Sequence, residues 1–392
     1  MPLPLYLLAM AVFAMGTSEF MLAGLLPDIA SDLDVTVGTT GTLTSAFAVG
    51  MIVGAPLVAA LARNRPRRSS LVGFLFVFAA AHVVGAVTTS FPVLFATRVV
   101  AALANAGFLA VALTAAAALV SPDRKGRALA VLLSGTTVAT IAGVPGGSVL
   151  GTLLGWQATF WAVAALCLPA ALGILKGIPA GRDEEEATGR PALRAELAHL
   201  TRARLILVML LGALVNAATF ASLTFLAPVV TDSAGLGELW ISVALVLFGA
   251  GSCVGVIVAG RLSDRHPGQV VAVGGPLLLV GWPVLALLAH KPVALFILVF
   301  VQGALSFALG STLITRVLYE AAGAPTMAGS YATAALNVGA ATGPVIAAST
   351  LSTEAGDLGP LWVSGLLVAV ALLIAFSLFA SLTADQRTEA LR

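Results

Sequence analysis

Charge is scarce in this chain. Only 10% of its 392 residues are Asp, Glu, Lys or Arg, 20 basic against 18 acidic. A soluble domain carries about 25%. So few ionic groups cannot clothe a protein of this size for water. That excludes a soluble enzyme, a nucleic-acid binder and a disordered tail. Cysteine is nearly absent as well. Cys167 and Cys253 both sit in apolar stretches, where cysteine behaves as a small hydrophobe, so neither a disulfide nor a zinc site is expected. His82 has no second His, Cys or carboxylate at ligand spacing, which speaks against a metal. There is no G-x4-G-K-[ST], so ATP is not expected to drive the protein directly, and no H-E-x-x-H or G-x-S-x-G. Gly249, Gly251 and Gly255 mimic a dinucleotide fingerprint, but the last spacing is wrong and no strand precedes them.

What is abundant is grease. The hydrophobic share is 59% and the mean hydropathy +1.04. A bilayer-spanning helix needs roughly 20 mostly apolar residues. Twelve such stretches can be read, near 4–27, 40–62, 70–89, 93–119, 128–152, 157–178, 205–230, 240–260, 269–289, 292–318, 326–351 and 359–382. Spanning strands would alternate apolar and polar, whereas Leu71–Ala81 is apolar on all sides. An all-α membrane protein of twelve helices is therefore expected. The first stretch is read as a helix and not as a signal peptide. No Lys or Arg precedes it, and it ends in Gly24-Leu25-Leu26-Pro27 instead of a small-residue cleavage site.

Basic residues test the count, because they collect on the cytoplasmic side. With both termini inside, eighteen of the 20 Lys and Arg fall in inner segments, among them Arg63, Arg65, Arg67 and Arg68 after the second stretch and Arg124, Lys125 and Arg127 after the fourth. Only Lys291 is outside, and Arg98 lies within a stretch. A miscounted span would scramble this segregation. The chain is thus expected in the cell (plasma) membrane, multi-pass, with both ends cytoplasmic.

One long polar segment, 179–204, holds Arg182-Asp183-Glu184-Glu185-Glu186. It reads as a solvated linker between a six-helix half at 1–178 and another at 205–392. The halves echo each other at an offset of 201. Pro27 meets Pro228, and the Phe47, Gly50 and Gly54 pattern meets Phe248, Gly251 and Gly255. Two parallel repeats with a site between them at mid-membrane form a secondary-transporter architecture.

Three local patterns resemble the major facilitator superfamily, specifically its twelve-span drug:proton antiporters. Gly260-Arg261-Leu262-Ser263-Asp264-Arg265 is similar to that family's loop motif. Gly143-Val144-Pro145-Gly146-Gly147, continued by Gly151 and Gly155-Trp156, is similar to its antiporter motif. Gly16-Thr17-Ser18-Glu19-Phe20 resembles the opening of bacterial drug exporters. Leu103-Ala104-Asn105-Ala106-Gly107-Phe108 and Ser330-Tyr331 through Leu336-Asn337 extend the resemblance to actinobacterial chloramphenicol exporters. The resemblance implies two pseudo-symmetric six-helix bundles that rock about a central site. It also implies a monomer that exports a chloramphenicol-like drug in exchange for protons, with the proton gradient as its energy source and no cofactor. Export of another small metabolite, such as a sugar or nucleoside, is the alternative. The loop after the second stretch departs from the family: its acid is replaced by Arg63 and its later glycine by Pro66. The latch that the acid would form between the halves is lost from this half, and the arginines there suit anionic lipid heads.

An ionisable residue inside a span marks function by default, since it costs several kcal/mol to place there. Glu19 and Arg98 are the two clear cases, and counting residues from the outer ends puts them at similar depth. An acid held between low dielectric and a guanidinium can load and release a proton as its surroundings change; a static ion pair joining the first and fourth helices is the plain alternative. His82 reads as a hydrogen-bonded packing residue. Gly143, Gly147, Gly151 and Gly155 fall on one helix face, and Pro145 can bend that helix. This smooth face suits either tight packing or sliding of the halves. Candidate drug contacts are Asn105, Asn216, Phe220, Gln302, Tyr331 and Asn337, each amide equally able to join two helices. Phe220 stands 201 residues after Glu19 and is expected at matching depth.

Overall fold

A computed structural model of the chain describes residues 2–62, 66–121, 125–178, 202–262, 267–321 and 328–389. Among them there are helices and turns and no strand. The helices are α1 (Leu3–Phe20), α2 (Leu26–Asp32), α3 (Val37–Ala62), α4 (Arg67–Val87), α5 (Phe91–Ala118), α6 (Lys125–Val138), α7 (Val144–Leu154) and α8 (Trp156–Gly177). The second half adds α9 (Ala203–Thr224), α10 (Leu239–Leu262), α11 (Pro267–Leu288), α12 (Pro292–Glu320), α13 (Ala328–Ala348) and α14 (Gly359–Glu389). Three of the predicted stretches are subdivided. A 3-10 turn, Met21–Gly24, joins α1 to α2, and a π-helical turn, Ala139–Gly143, joins α6 to α7. The seventh breaks after Thr224 into a short turn of helix, Leu226–Pro228, and a π-helical turn, Val229–Ser233. Twelve helical units of membrane length result, at the positions read from the sequence. Eleven are also apolar enough by composition to cross a bilayer. The other is α13, whose Ser330, Thr333, Asn337 and Thr342 dilute its hydropathy.

The breaks have local causes. Pro145 has no N–H to give, and its ring crowds the carbonyl four residues back. The π turn just before it widens the helix there, with Val144 N–H reaching Ala139 O. Gly155 ends α7 at φ +87°, a left-handed backbone that glycine adopts without a Cβ clash. It therefore forms the turn into α8 and does not extend the glycine face, contrary to the four-residue spacing.

Two apolar cores, one mainly of each half, reach across the seam, the first taking in Phe225 and Ala347 and the second Ala23 and Val144. Large apolar side chains such as Phe76, Leu154, Leu168, Val293 and Phe376 point outward with two-thirds or more of their surface exposed. Apolar exposure this widespread fits a bilayer as solvent. The Phe-x-x-Gly-x3-Gly echo is realised as one repeated helix crossing. A Cβ on Gly50 would press on Val99 O and Ala102, and one on Gly54 on Leu103 and Ala106. In the second half Gly251 meets Phe300 O and Gly255 meets Ala304 O. Both crossings keep the offset of 201.

The first and seventh spans follow a different register. Gly135 abuts Ala9 O in one half and Gly339 abuts Ala213 O in the other, an offset of 204. α1 and α9 end at Phe20 and Thr224, also 204 apart, while Pro27 and Pro228 remain 201 apart. The turn at Met21–Gly24 absorbs the three-residue difference. By packing, Phe220 is thus the counterpart of Gly16, not of Glu19.

Candidate functional site

The halves touch from the end opposite the termini down to mid-depth. Gly38 packs on Ala348 and Leu351, Gly41 on the Phe225 ring, and Gly24 on Leu245. Lower down, Phe220 lies among Ala48 and Ala340 and stacks on Phe20 with ring centroids 5.6 Å apart. On the other flank Thr140 O and Ile141, within the π turn, lie against Gly249 of α10. The expected sliding face lies elsewhere. Gly143 faces Thr17 and Phe13, Gly147 faces Thr159 and Met21, and Gly151 faces Leu25, all in the same half. A helix with side chains on that face would be forced away from α1, so these glycines serve packing within the half, while the seam on this flank is formed by the π turn and another face of α7 against α10.

Next to the seam is a buried polar network. Arg98 of α5 is 1% exposed and does not form an ion pair with Glu19. Its Nη1 donates to Ser18 Oγ at 2.8 Å and its Nη2 to Ser18 O at 2.7 Å. Its guanidinium carbon lies 4.6 Å from the Phe47 ring centroid, at cation–π distance. Ser18 O belongs to the last turn of α1, where carbonyls lack helical partners and a cation complements the helix dipole. His82 Nδ1 is 2.8 Å from Phe78 O and its Nε2 is 2.7 Å from Ser18 Oγ. A carbonyl can only accept, so Nδ1 carries the proton and Nε2 accepts from the Ser18 hydroxyl. Phe78 and Phe160 flank the imidazole, with centroids at 4.3 and 5.7 Å. No comparable cation stands in the second half: Val299 is 201 residues after Arg98 and is buried and apolar.

Glu19 follows Ser18 directly. It is half-buried, and among the described residues its carboxyl has no hydrogen-bond or ion-pair partner. It is thus a carboxyl beside the half–half seam that no local contact locks in one protonation state.

The other candidates are dispersed. Asn105, two turns along α5 from Arg98 on the same face, is buried with its Oδ1 unpaired. Asn216 Nδ2 donates to Leu336 O, joining α9 to α13. Asn337 Nδ2 donates to Thr333 O within its own helix. Gln302 is wholly inside the second half, with Nε2 donating to Leu278 O, and Tyr331 packs with Leu205, Val317 and Ala321. Gln302 fills a gap between helices of its own half. Gly260 lies in the last turn of α10, whereas Arg63, Asp264 and Arg265 lie outside the described residues, as does nearly all of the linker. The sequence marked Ser18 only within the Gly16–Phe20 pattern and Phe47 only within the repeat, neither as a partner of Arg98. The one available signal was that an in-span arginine needs acceptors, and Ser18 adjoins the in-span acid.

At the closed end, outside the span, Asp28 on α2 is half-buried. Burial first, then the carboxylates of Glu238 and Asp32, push its carboxyl above the usual range. Parting the halves there would hydrate Asp28 and carry it away from Glu238. A group that binds its proton more tightly in one state favours that state as pH falls. Acidification from neutral toward the ordinary carboxylate range should therefore populate the closed end. Spin labels at Ser31 and Ser352 should report shorter distances at lower pH, and Asp28→Asn should flatten the response.

Two pseudo-symmetric helical halves, a seam at mid-membrane depth and, among the described residues, an in-span acid without a hydrogen-bond or ion-pair partner define a multi-pass membrane carrier. The major facilitator superfamily model matches residues 8–324 and 209–391, and the chain belongs to that superfamily. It is 79% identical, over all of both chains, to the chloramphenicol resistance protein of Streptomyces lividans. It is 32% identical to the inner membrane transport protein YdhP of Escherichia coli K12, covering 95% of each chain. Among solved structures, a bacterial homologue of the human lysosomal transporter Spinster, inward-facing and occupied, superposes with a TM-score of 0.74 at 17% identity, covering 96% of each chain.

Proposed function

We propose that this protein exports chloramphenicol or a closely similar amphipathic drug across the plasma membrane in exchange for protons. The observation that carries the substrate is the 79% identity, from end to end, to a chloramphenicol resistance protein. Support for the proton comes from Glu19, the seam-side acid without a partner.

The cycle we propose is built on this geometry. With both termini in the cytoplasm, as the basic residues favour, the structure is closed outward. Drug enters from the cytoplasm or inner leaflet between the halves. The Phe20–Phe220 stack supplies apolar surface, and the unpaired Asn105 Oδ1 can accept from a drug hydroxyl or amide. A neutral drug needs no fixed counter-charge. Rocking opens the outer end, drug leaves, and a proton taken up at Glu19 from outside resets the carrier. The protein acts as a monomer, since the two halves of one chain complete the seam.

Expression in a drug-sensitive host is expected to raise resistance to chloramphenicol at least several-fold above empty vector, with less effect on unrelated antibiotics. Equal sensitivity at verified membrane expression would overturn the substrate assignment.

A further inference from the structure

Arg98 and Glu19 are the two in-span charges of the first and fourth spans, yet they do not pair. Both terminal nitrogens of Arg98 are engaged by Ser18, the residue before Glu19. The remaining Nε–H is buried and unpaired. The cation is therefore held within the electrostatic field of the acid and kept off its carboxyl.

The holding device can be traced one residue further. Ser18 has one hydroxyl proton. If that proton pointed along the Oγ–Nη1 line it would oppose the guanidinium. It points instead to His82 Nε2, because His82 Nδ1 is committed to Phe78 O and leaves Nε2 as an acceptor. The Ser18 oxygen is thereby presented to Arg98 by its lone pairs. Each member is buried: Ser18 0%, His82 1% and Arg98 1% exposed. No water is needed to complete the chain from Phe78 O through His82 and Ser18 to Arg98. The charged or titratable groups facing His82 are Arg98 from α5 and, beyond Ser18, Glu19 from α1. α8 presents Phe160 to the imidazole, and Phe47 of α3 covers the Arg98 guanidinium.

We infer that His82 is a positioning residue of the coupling site: through the Ser18 hydroxyl it keeps Arg98 on the end of α1 and away from Glu19, so that Glu19 stays free to exchange its proton. This rests on Glu19 being the coupling acid. It goes beyond that reading by assigning a role to a histidine that acts through the Ser18 hydroxyl.

The test uses the full-length purified protein without drug. Its readout is the pH titration of the protonated-carboxyl infrared band that Glu19→Gln removes. His82→Phe keeps the ring in its aromatic pocket and removes both nitrogens. Ser18 then has no acceptor for its proton, Arg98 loses a partner and swings toward Glu19, and the titration should move to the acid side by at least about half a pH unit. His82→Gln offers Ser18 an amide oxygen and should titrate like the wild type. Ser18→Ala removes the same acceptor from α1 and should reproduce the acid shift, which keeps the test decisive if His82→Phe does not fold. An unshifted titration in the folded variants would overturn the inference, as would a wild-type protein in which no Glu19 band titrates. Because no drug or gradient enters the measurement, failure of the export assignment would show separately, as absent resistance with the titrations intact.

Discussion

Glu19→Gln is expected to abolish drug efflux driven by a pH gradient. Glutamine keeps the size and hydrogen-bonding capacity of the side chain but cannot bind or release a proton. The structure predicts little collateral damage, because among the described residues the Glu19 carboxyl makes no hydrogen bond or ion pair that glutamine would break. Removing a positioned proton-transfer group costs on the order of 10²–10⁴ in rate, so gradient-driven transport in proteoliposomes should fall by roughly a hundredfold or more. Chloramphenicol binding should survive, since a neutral drug does not rely on the charge, and drug should still equilibrate down its own gradient. Undiminished uphill transport in the variant would remove Glu19 from the mechanism and leave the fold untouched.

The second large effect is structural. Gly251→Val is expected to eliminate folded protein. α10 and α12 cross there so closely that a Cβ on Gly251 would overlap Phe300 O and crowd Ala304 N. The obstacle is backbone, which cannot move aside like a flexible side chain. Overpacking typically costs about 1–3 kcal/mol, and a backbone clash at the most intimate crossing of the half should reach or pass that range. Gly73→Ala is the control, because nothing lies within 4 Å of a Cβ there. Size-exclusion profiles and thermal melts of the purified proteins decide it. The glycine variant at 73 should behave as wild type, and the one at 251 should give little monodisperse protein. Normal yield and melting of Gly251→Val would mean that the crossing is looser than the structure shows.

The same pair of crossings illustrates what a linear reading can and cannot reach. Phe47, Gly50 and Gly54 and their counterparts 201 residues later were legible because two helices that approach closely need small residues at a fixed helical spacing, and that requirement is written in one dimension. The 204 register of the first and seventh spans was not. It depends on whether the residues after Phe20, Met21–Gly24, form a 3-10 turn or stay in register, which local composition does not decide. The repeat counterpart of Phe220 is therefore Gly16 and not Glu19, although Phe220 does lie at the expected depth, stacked on Phe20.

The coupling site divides in the same way. Glu19 and Arg98 stood out because ions within apolar runs are costly, and that cost is a property of the sequence. Their relation to each other was not legible. Ser18, Phe47, His82 and Arg98 come from four helices with no shared spacing, and only packing of α1, α3, α4 and α5 brings them together. The glycines of α7 show the converse: their pattern announces close approach but not the partner, which proved to be α1 of the same half.

Sequence alone determined the solvent, the number of spans and the repeat, since the scarcity of charge, run length and placement of Lys and Arg answer to the bilayer one residue at a time. Tertiary structure decided which groups bond, where the halves meet and that Arg98 is bonded to Ser18 and not to Glu19. Those depend on distances between helices, set by packing and hydrogen-bond geometry across the whole molecule.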